Sequence, residues 1–183
     1  LASAGLLIIF GGSGKTAFND VLIFDGITLW TGLIALAAAA GSLILMYDNP
    51  ATRGPQFSEL VFLCLGSVLG MMILISAMDL LMIFIGLELM SLSLYVMIGM
   101  SHEQRLAKES AFKYFILGSF ASAIFLFGVS FIFGTRVQTN ILKLLEVTIP
   151  LIQSNQLFLF GMILILVGFC FKVSIAPFHA WVP

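Results

Sequence analysis

Glu88 is the first residue whose position suggests chemistry, because it lies inside the apolar stretch 80–100, where Tyr95 is the only other ionisable residue. A helix would place Glu88 about 13 Å from Asp79, near the middle of a hydrocarbon layer about 30 Å thick. A carboxyl group is costly there unless it faces protein or water, so such an acid is usually functional. Ser91 and Tyr95 share its helical face and could hydrogen-bond to it. The alternative is a protonated structural carboxyl bonded to a neighbouring helix.

Lys172 is the second candidate, since it lies about fifteen residues inside the last apolar stretch, too deep to reach the surface easily. Pro177 removes a helical hydrogen bond and clashes with the carbonyl of Val173, which predicts a kink or break just after the lysine. An interrupted membrane helix exposes carbonyl groups to water or a cation. Desolvation disfavours the charged lysine and a nearby carboxylate favours it, so Lys172 could carry protons. His179 could serve as a relay or a cap.

Lys113 is the third candidate, about five residues inside a span that begins near Lys108. Its ammonium group could extend to the membrane surface, which is the plainer interpretation. Lys108 and Glu109 already mark that surface, however, and Lys113 lies a full turn deeper. An acid and two lysines on three different spans would form a proton relay. Asp79 is expected to be the N-cap or a first-turn acid of the helix that contains Glu88.

The composition requires that these residues belong to a membrane protein. Of the 183 residues, 61% are apolar and 9% charged, against roughly 45–50% and about 25% in a soluble domain. The apolar runs are continuous, which predicts helices rather than the alternating strands of an outer-membrane barrel. The net charge of −1 and the lack of polar tracts exclude a disordered or nucleic-acid-binding chain. The sequence therefore predicts an all-α, polytopic, multi-pass membrane protein.

The apolar runs predict about five full transmembrane helices and a partial one in a single domain, residues 1–183, with the last helix broken near Pro177. Almost no loop remains at 77–78, so the third and fourth spans should form a tight antiparallel hairpin. The first run is too short to cross and suggests the tail of a helix that begins upstream. Loops are expected elsewhere, including 134–155. The predicted spans are 1–10, 27–47, 58–77, 79–100, 108–134 and 157–182.

Two further features carry no site. The segment 11–16 reads GGSGKT, but a phosphate-binding loop needs a glycine where the chain has Ile9, and a helix directly afterwards. We interpret it as a flexible loop between helices. Cys64 and Cys170 are far apart in the chain, which offers neither a metal-ligand spacing nor a disulfide framework.

Three motifs follow one another along the chain: Met78-Asp79-Leu80 with GLELMSL at 86–92, ESAFKYFILG at 109–118, and FKVSIAPFHAWVP at 171–183. Together they resemble the antiporter-like membrane subunits of respiratory complex I, a NADH:quinone oxidoreductase. Within that family the chain is most similar to the N-type subunits, the counterparts of mitochondrial subunit 2. The resemblance implies a fold of about fourteen helices in two inverted repeats, of which this chain would be a fragment or one piece of a split subunit.

The resemblance also implies roles. Glu88 would pair with Lys172, with Lys113 on the same polar axis and Asp79 in support, as part of a half-channel whose proton transfer is driven by quinone reduction elsewhere. The chain itself would bind no cofactor and no metal and perform no redox chemistry. NADH, FMN, iron–sulfur clusters and quinone would belong to partner subunits of this enzyme. Those partners would be other membrane-arm subunits in a bacterial or mitochondrial inner membrane.

Two other interpretations stay open. A secondary cation/proton antiporter subunit without a redox partner would exchange sodium for protons in the absence of an electron donor. A structural fragment would only pack against neighbouring helices, and Glu88→Gln would then change stability but not transport.

Overall fold

The structure, a computed structural model, describes the backbone of residues 14–49, 54, 56–100 and 105–175, and all of their side chains except those of 105–107 and 153. Contacts divide the chain into two compact units. The described part of the first contains a β-hairpin, two helices and Ile85–Met97 of a third. The second contains Met78–Phe84 and the described residues from Ile98 onwards.

The described residues form two short strands and six helices. Four of the helices are long and apolar enough to cross a membrane, α4 from Lys108 onwards, and α6 is apolar over 17 residues. The prediction of an all-α, polytopic membrane protein is confirmed, apart from the small hairpin, whereas the predicted run 1–10 lies outside the described residues. The elements are β1 (Lys15–Ala17), β2 (Leu22–Phe24), α1 (Gly26–Asp48), α2 (Phe57–Ser76), α3 (Leu80–Gly99), α4 (Arg105–Arg136), α5 (Ile141–Ser154) and α6 (Gln156–Lys172).

The hairpin lies where the sequence predicted a flexible loop. Its strands are antiparallel, with Lys15 opposite Phe24. The turn between them contains Asn19 and Asp20 in the left-handed region, at φ of 57° and 65°, which these two residue types tolerate better than most. A strand therefore follows Gly14, and the described part of this segment lacks the helix that a phosphate-binding loop requires.

Helix α5 is the second departure, because 134–155 was predicted to be a loop. The helix is amphipathic and has 14 residues, so a search for runs of ~20 apolar residues does not detect it. Asn140 caps its start, accepting a hydrogen bond from the Lys143 N–H at 3.3 Å. Asn155 ends α5 and also caps α6, accepting from the Leu157 N–H at 3.0 Å.

Glycines bring α2 and α3 into backbone contact in the first unit. A Cβ added to Gly70 would lie 2.5 Å from the backbone nitrogen of Met90, and one added to Gly86 would lie 2.9 Å from that of Leu74. No larger residue fits at either position without a backbone shift. Such close approach is typical of small residues between membrane helices. The predicted tight hairpin of these two spans is therefore observed.

Helices α4 and α6 pack in the same manner in the second unit. A Cβ added to Gly128 would lie 2.8 Å from the Gly161 carbonyl oxygen, and one added to Gly168 would lie 2.8 Å from Phe125 Cβ. Phe125 also stacks on Phe84 and meets Phe169 edge to face. The buried core of this unit consists of Leu80, Phe125, Val129, Ile132, Leu144, Phe158 and Ile165.

Candidate functional site

Glu88 occupies the middle of α3, nine residues into a helix of 20. Its side chain is half-buried, whereas those of Ser91 and Tyr95 are buried. These three residues are spaced by three and four positions, so they lie on one face of the helix. The hydroxyl of Ser93, on another face, donates to the carbonyl of Leu89 at 2.9 Å and is satisfied by its own helix. The centre of this span thus contains a carboxyl, a hydroxyl and a phenol in a row.

This row can exchange protons. The carboxyl group of Glu88 accepts hydrogen bonds when it is ionised and can also donate one when it is protonated. Hydroxyl and phenol groups both donate and accept hydrogen bonds, so they can order water or pass a proton beside the carboxyl. These three side chains are therefore of the types that can hold or pass a proton.

Asp79 is the N-cap of α3, as the sequence predicted. Its Oδ1 accepts a hydrogen bond from the Leu81 N–H at 2.9 Å, and its Oδ2 accepts one from the Thr139 hydroxyl at 2.5 Å. The residue is 8% exposed. Both carboxyl oxygens are thus engaged in bonds that hold the chain in place, which favours a supporting role.

The backbone strengthens this attachment of Asp79. The Leu80 N–H donates to the Thr139 carbonyl at 3.0 Å, and the Ile141 N–H donates to the Met78 carbonyl at 2.9 Å. The start of α3 is therefore tied to the segment that precedes α5. Sequence reasoning missed Thr139, because nothing local indicates a partner 60 residues away.

Lys172 is the last residue of α6, and its side chain is half-buried. The helix ends in a Schellman motif: the Ile175 N–H donates to the Cys170 carbonyl at 3.0 Å, and Ser174 is left-handed with φ of 56°. The helix thus ends just after the lysine, where a kink or break was predicted. The left-handed conformation of Ser174 accounts for the end of the helix within the described residues, and the argument from proline did not include it.

The end of α6 also favours a cation. Lys172 is the basic residue in the last turn of α6, and the last carbonyl groups of a helix carry a partial negative charge that favours a cation nearby. Pro177 and His179 lie outside the described residues. The relay role of His179 therefore stays a prediction.

Lys113 lies near the start of the spanning part of α4. Its Nζ is 2.6 Å from Glu109 Oε1, and the two side chains are 65% and 55% exposed. This is the ordinary pairing of residues one helical turn apart. The position agrees with the plainer interpretation, a lysine close to the membrane surface. Lys113 and Lys172 belong to the second unit and Glu88 to the first, so the implied pairing of Glu88 with Lys172 stays a prediction.

Two other features of the described residues hold none of these candidates. A cavity of ≈150 Å³ in the first unit is lined mostly by apolar side chains, with the hydroxyls of Thr28 and Ser76 as its polar groups. Within the described ranges, no three His, Cys, Asp or Glu side chains come together to hold a metal ion.

The apolar spans define an integral membrane protein, and one of them contains the ionisable Glu88 near its centre. Residues 77–183 match the family described as NADH:quinone oxidoreductase/Mrp antiporter, transmembrane. The match covers more than half of the chain, and the chain belongs to this family. The family, the apolar helices and the bacterial relatives described next together identify the chain as an integral inner-membrane protein.

Curated bacterial relatives extend the match to the whole chain. NADH-quinone oxidoreductase subunit N of Bdellovibrio bacteriovorus is 63% identical over 183 residues, which is 100% of this chain and 38% of that protein. NADH-quinone oxidoreductase subunit N 1 of Thermodesulfovibrio yellowstonii is 40% identical over 167 residues, which is 91% of this chain and 36% of that protein. The chain therefore spans little more than a third of the length of these relatives.

Solved structures confirm the antiporter-like fold. A chain of respiratory complex I from Thermus thermophilus with bound aureothin matches with a TM-score of 0.79 and 30% identity, over 100% of this chain and 38% of that one. A chain of the membrane-bound sulfane sulfur reductase, an archaeal respiratory membrane complex, matches with a TM-score of 0.77 and 21% identity. This match covers 94% of this chain and 35% of that one. The second likeness concerns the fold alone.

Proposed function

We propose that the chain is part of a proton-translocating subunit in the membrane arm of a NADH:quinone oxidoreductase. The observation that carries the proposal is the half-buried Glu88 beside the buried Ser91 and Tyr95 in the middle of an apolar span. The names of the curated relatives support the assignment to this enzyme. In the proposal, both units belong to one transmembrane domain that works with other membrane-arm subunits in the bilayer.

Each candidate residue has a stated task. Glu88 and Lys172 are the central proton carriers, because one is a carboxyl inside a span and the other a lysine at a helix end whose carbonyls stabilise its charged form. Lys113 is a third carrier nearer the surface, and His179 is a relay. Asp79 positions the helix that contains Glu88. Quinone reduction by partner subunits, which hold NADH, FMN and the iron–sulfur clusters, supplies the energy.

The variant Lys172→Ala tests the proposal in the complete subunit, assembled in its complex and reconstituted in vesicles. We expect NADH-driven acidification of the vesicles to fall about tenfold, because a positioned proton carrier contributes at least that much. Subunit content measured by denaturing mass spectrometry should be unchanged. Lys108→Ala is the matched control, since it removes an exposed lysine with no assigned task. Full pumping by an assembled Lys172→Ala complex would contradict the proposal.

A second measurement on the same vesicles distinguishes the proposed redox-driven pump from the antiporter interpretation. The description of the matched family names both the oxidoreductase and the Mrp antiporter, whereas the relatives reported above are named for the oxidoreductase alone. A sodium gradient without NADH should drive no proton movement. Sodium-driven acidification that Lys172→Ala abolishes would overturn the proposal in favour of a secondary cation/proton antiporter.

A further inference from the structure

Helix α5 has two apolar faces. One packs into the core of the second unit through Ile141, Leu144 and Leu151. The other is a row of four aliphatic side chains between 38% and 74% exposed, which we call the aliphatic strip. Its members are Leu142, Leu145, Ile149 and Ile152.

The position of α5 in the chain brings this strip to the membrane surface. Four residues separate α5 from Arg136, the end of the spanning helix α4, and Asn155 alone separates it from the apolar helix α6. A helix of 14 residues is about 21 Å long and cannot cross a hydrocarbon layer about 30 Å thick. Its ends adjoin the spanning helix α4 and the apolar helix α6, as is expected of a helix that lies along a membrane surface.

Polar residues occupy a separate arc of the same helix. Lys143 and Glu146 are exposed, and both lie on the arc that includes Pro150. At 3.6 residues per turn, the centre of this arc is about 110° from the centre of the aliphatic strip. The helix therefore presents one side to the core, one to water and one to an apolar environment.

We propose that α5 is an interfacial helix whose aliphatic strip inserts into the acyl-chain region of the bilayer beside α4 and α6. The strip continues the apolar surface of those two helices, where Phe133 and Leu157 are also exposed near the adjoining ends. It contains only Leu and Ile, whereas the centres of protein interfaces are enriched in aromatic residues, Met and Arg.

The charge of α5 specifies which part of the lipid it contacts. Its one described acid, Glu146, offsets its one described base, Lys143. Attraction to anionic headgroups needs an excess of basic residues. Insertion of α5 therefore depends on acyl chains and is independent of headgroup charge.

Spin labels on the complete subunit, assembled in its complex in phosphatidylcholine vesicles, test the proposal. Cysteines are introduced singly as Leu145→Cys and Ile149→Cys on the strip, after replacement of the native cysteines, including Cys64 and Cys170. Glu146→Cys is the matched control, because Glu146 follows Leu145 in the sequence but lies on the polar arc. Power saturation then compares collisions with oxygen, which concentrates in lipid, and with a water-soluble nickel chelate.

We expect the strip labels to collide more with oxygen and the Glu146→Cys label to collide more with nickel. Greater access of the strip labels to nickel would show that the strip faces water, and protection from both reagents would show that protein covers it. Either result overturns the proposal. If one strip variant does not assemble, Leu142→Cys and Ile152→Cys give the same test.

Added phosphatidylglycerol tests the dependence on acyl chains. We expect the ratio of oxygen to nickel collisions at Ile149→Cys to stay within about twofold when anionic lipid is included, since the charges of α5 cancel. A strip that enters the lipid only in the presence of phosphatidylglycerol would overturn the assignment to acyl chains.

Discussion

Asp79 and Glu88 lie at the start and in the middle of one apolar helix, and their surroundings differ. Asp79 caps α3 and bonds through both oxygens to groups that the fold would otherwise leave unsatisfied, the Leu81 N–H and the Thr139 hydroxyl. Glu88 cannot act as a cap, because the backbone N–H groups around it already bond to carbonyls one turn earlier. The position along the helix thus separates an acid that holds the structure from an acid suited to carry protons.

Neutralising the two acids one at a time should give the largest expected effect, a loss of pumping at Glu88 that is much smaller at Asp79. In the assembled complex, Glu88→Gln should lower NADH-driven proton pumping about tenfold or more, because glutamine cannot take up and release a proton. Asp79→Asn should have a much smaller effect, since asparagine is an equally good N-cap. Both are measured as the initial rate of vesicle acidification per turnover of NADH.

The outcome distinguishes three interpretations of α3. Equal losses of pumping in Glu88→Gln and Asp79→Asn would show that the two acids contribute equally to proton transfer. A loss of stability without a loss of pumping in Glu88→Gln would favour the structural carboxyl considered above. Subunit content of each complex, compared with the unaltered complex, serves as the control for assembly.

The second prediction concerns the energy of the Asp79 attachment. Asp79→Ala should lower the free energy of unfolding by about 2 kcal/mol or more, because it removes a helix cap and a buried hydrogen bond. Combination with Thr139→Val should cost less than the sum of the single changes by about 1 kcal/mol, as expected for residues in direct contact. The measurement is unfolding by a titration with dodecyl sulfate in mixed micelles.

Thr135→Val provides the matched control for this cycle. The Thr135 hydroxyl donates to the Ile132 carbonyl at 2.8 Å, so it bonds to its own helix. We expect its effect to add to that of Asp79→Ala within about 0.5 kcal/mol. Additivity of Thr139→Val as well would show that the bond between Asp79 and Thr139 contributes nothing measurable.

The elements predicted from the sequence are those with the strongest local signals. Four of the predicted spans match α1 to α4 within a few residues, because a run of ~20 apolar residues has few other stable structures. Helix α6 ends at Lys172, whereas its span was predicted to extend to 182. Helix α5 was missed because it is short and amphipathic, although Asn140 is a recognisable cap. The hairpin was missed because its strands have three residues each, too few for an alternating pattern.

Only those features of the candidate site that depend on residues close together in the sequence were predicted. The N-cap role of Asp79 follows from its place before an apolar run. Its bond to Thr139 depends on how a distant segment folds back, and no local pattern indicates such a contact. The end of α6 was expected from Pro177, whereas the described residues also place Ser174 in a left-handed conformation. Non-glycine residues adopt that conformation rarely, so sequence alone seldom reveals it.

The third prediction extends the comparison to an exposed acid. Glu109→Gln removes the ion pair with Lys113, whose members are more than half exposed. We expect no measurable change in the midpoint of unfolding, since exposed pairs one turn apart are screened by water and contribute little. Glu59→Gln, which removes another exposed acid, is the control. A clear loss of stability specific to Glu109→Gln would indicate that this pair is shielded from water.

The smallest effect is expected at Asp25, a second capping acid, which lies at the start of α1. Its carboxyl accepts hydrogen bonds from the N–H and the hydroxyl of Thr28, each at 2.8 Å. The backbone bond, followed by the hydroxyl bond, lowers the pKa of Asp25 below its ordinary value of 3.8. The ionised form is therefore favoured in the folded state, as is usual for a helix cap.

The sign of the pH dependence follows from this lowered pKa. The contribution of Asp25 to stability should be fully present well above pH 3.8 and be lost as the pH falls through the folded-state pKa. Asp25→Asn keeps a cap but cannot titrate, so the difference in melting temperature between the two proteins should be constant at neutral pH and change only in acid. A difference that already changes above pH 6 would mean that another group titrates with Asp25. A difference that is flat into strong acid would mean that the two Thr28 bonds do not favour the ionised cap.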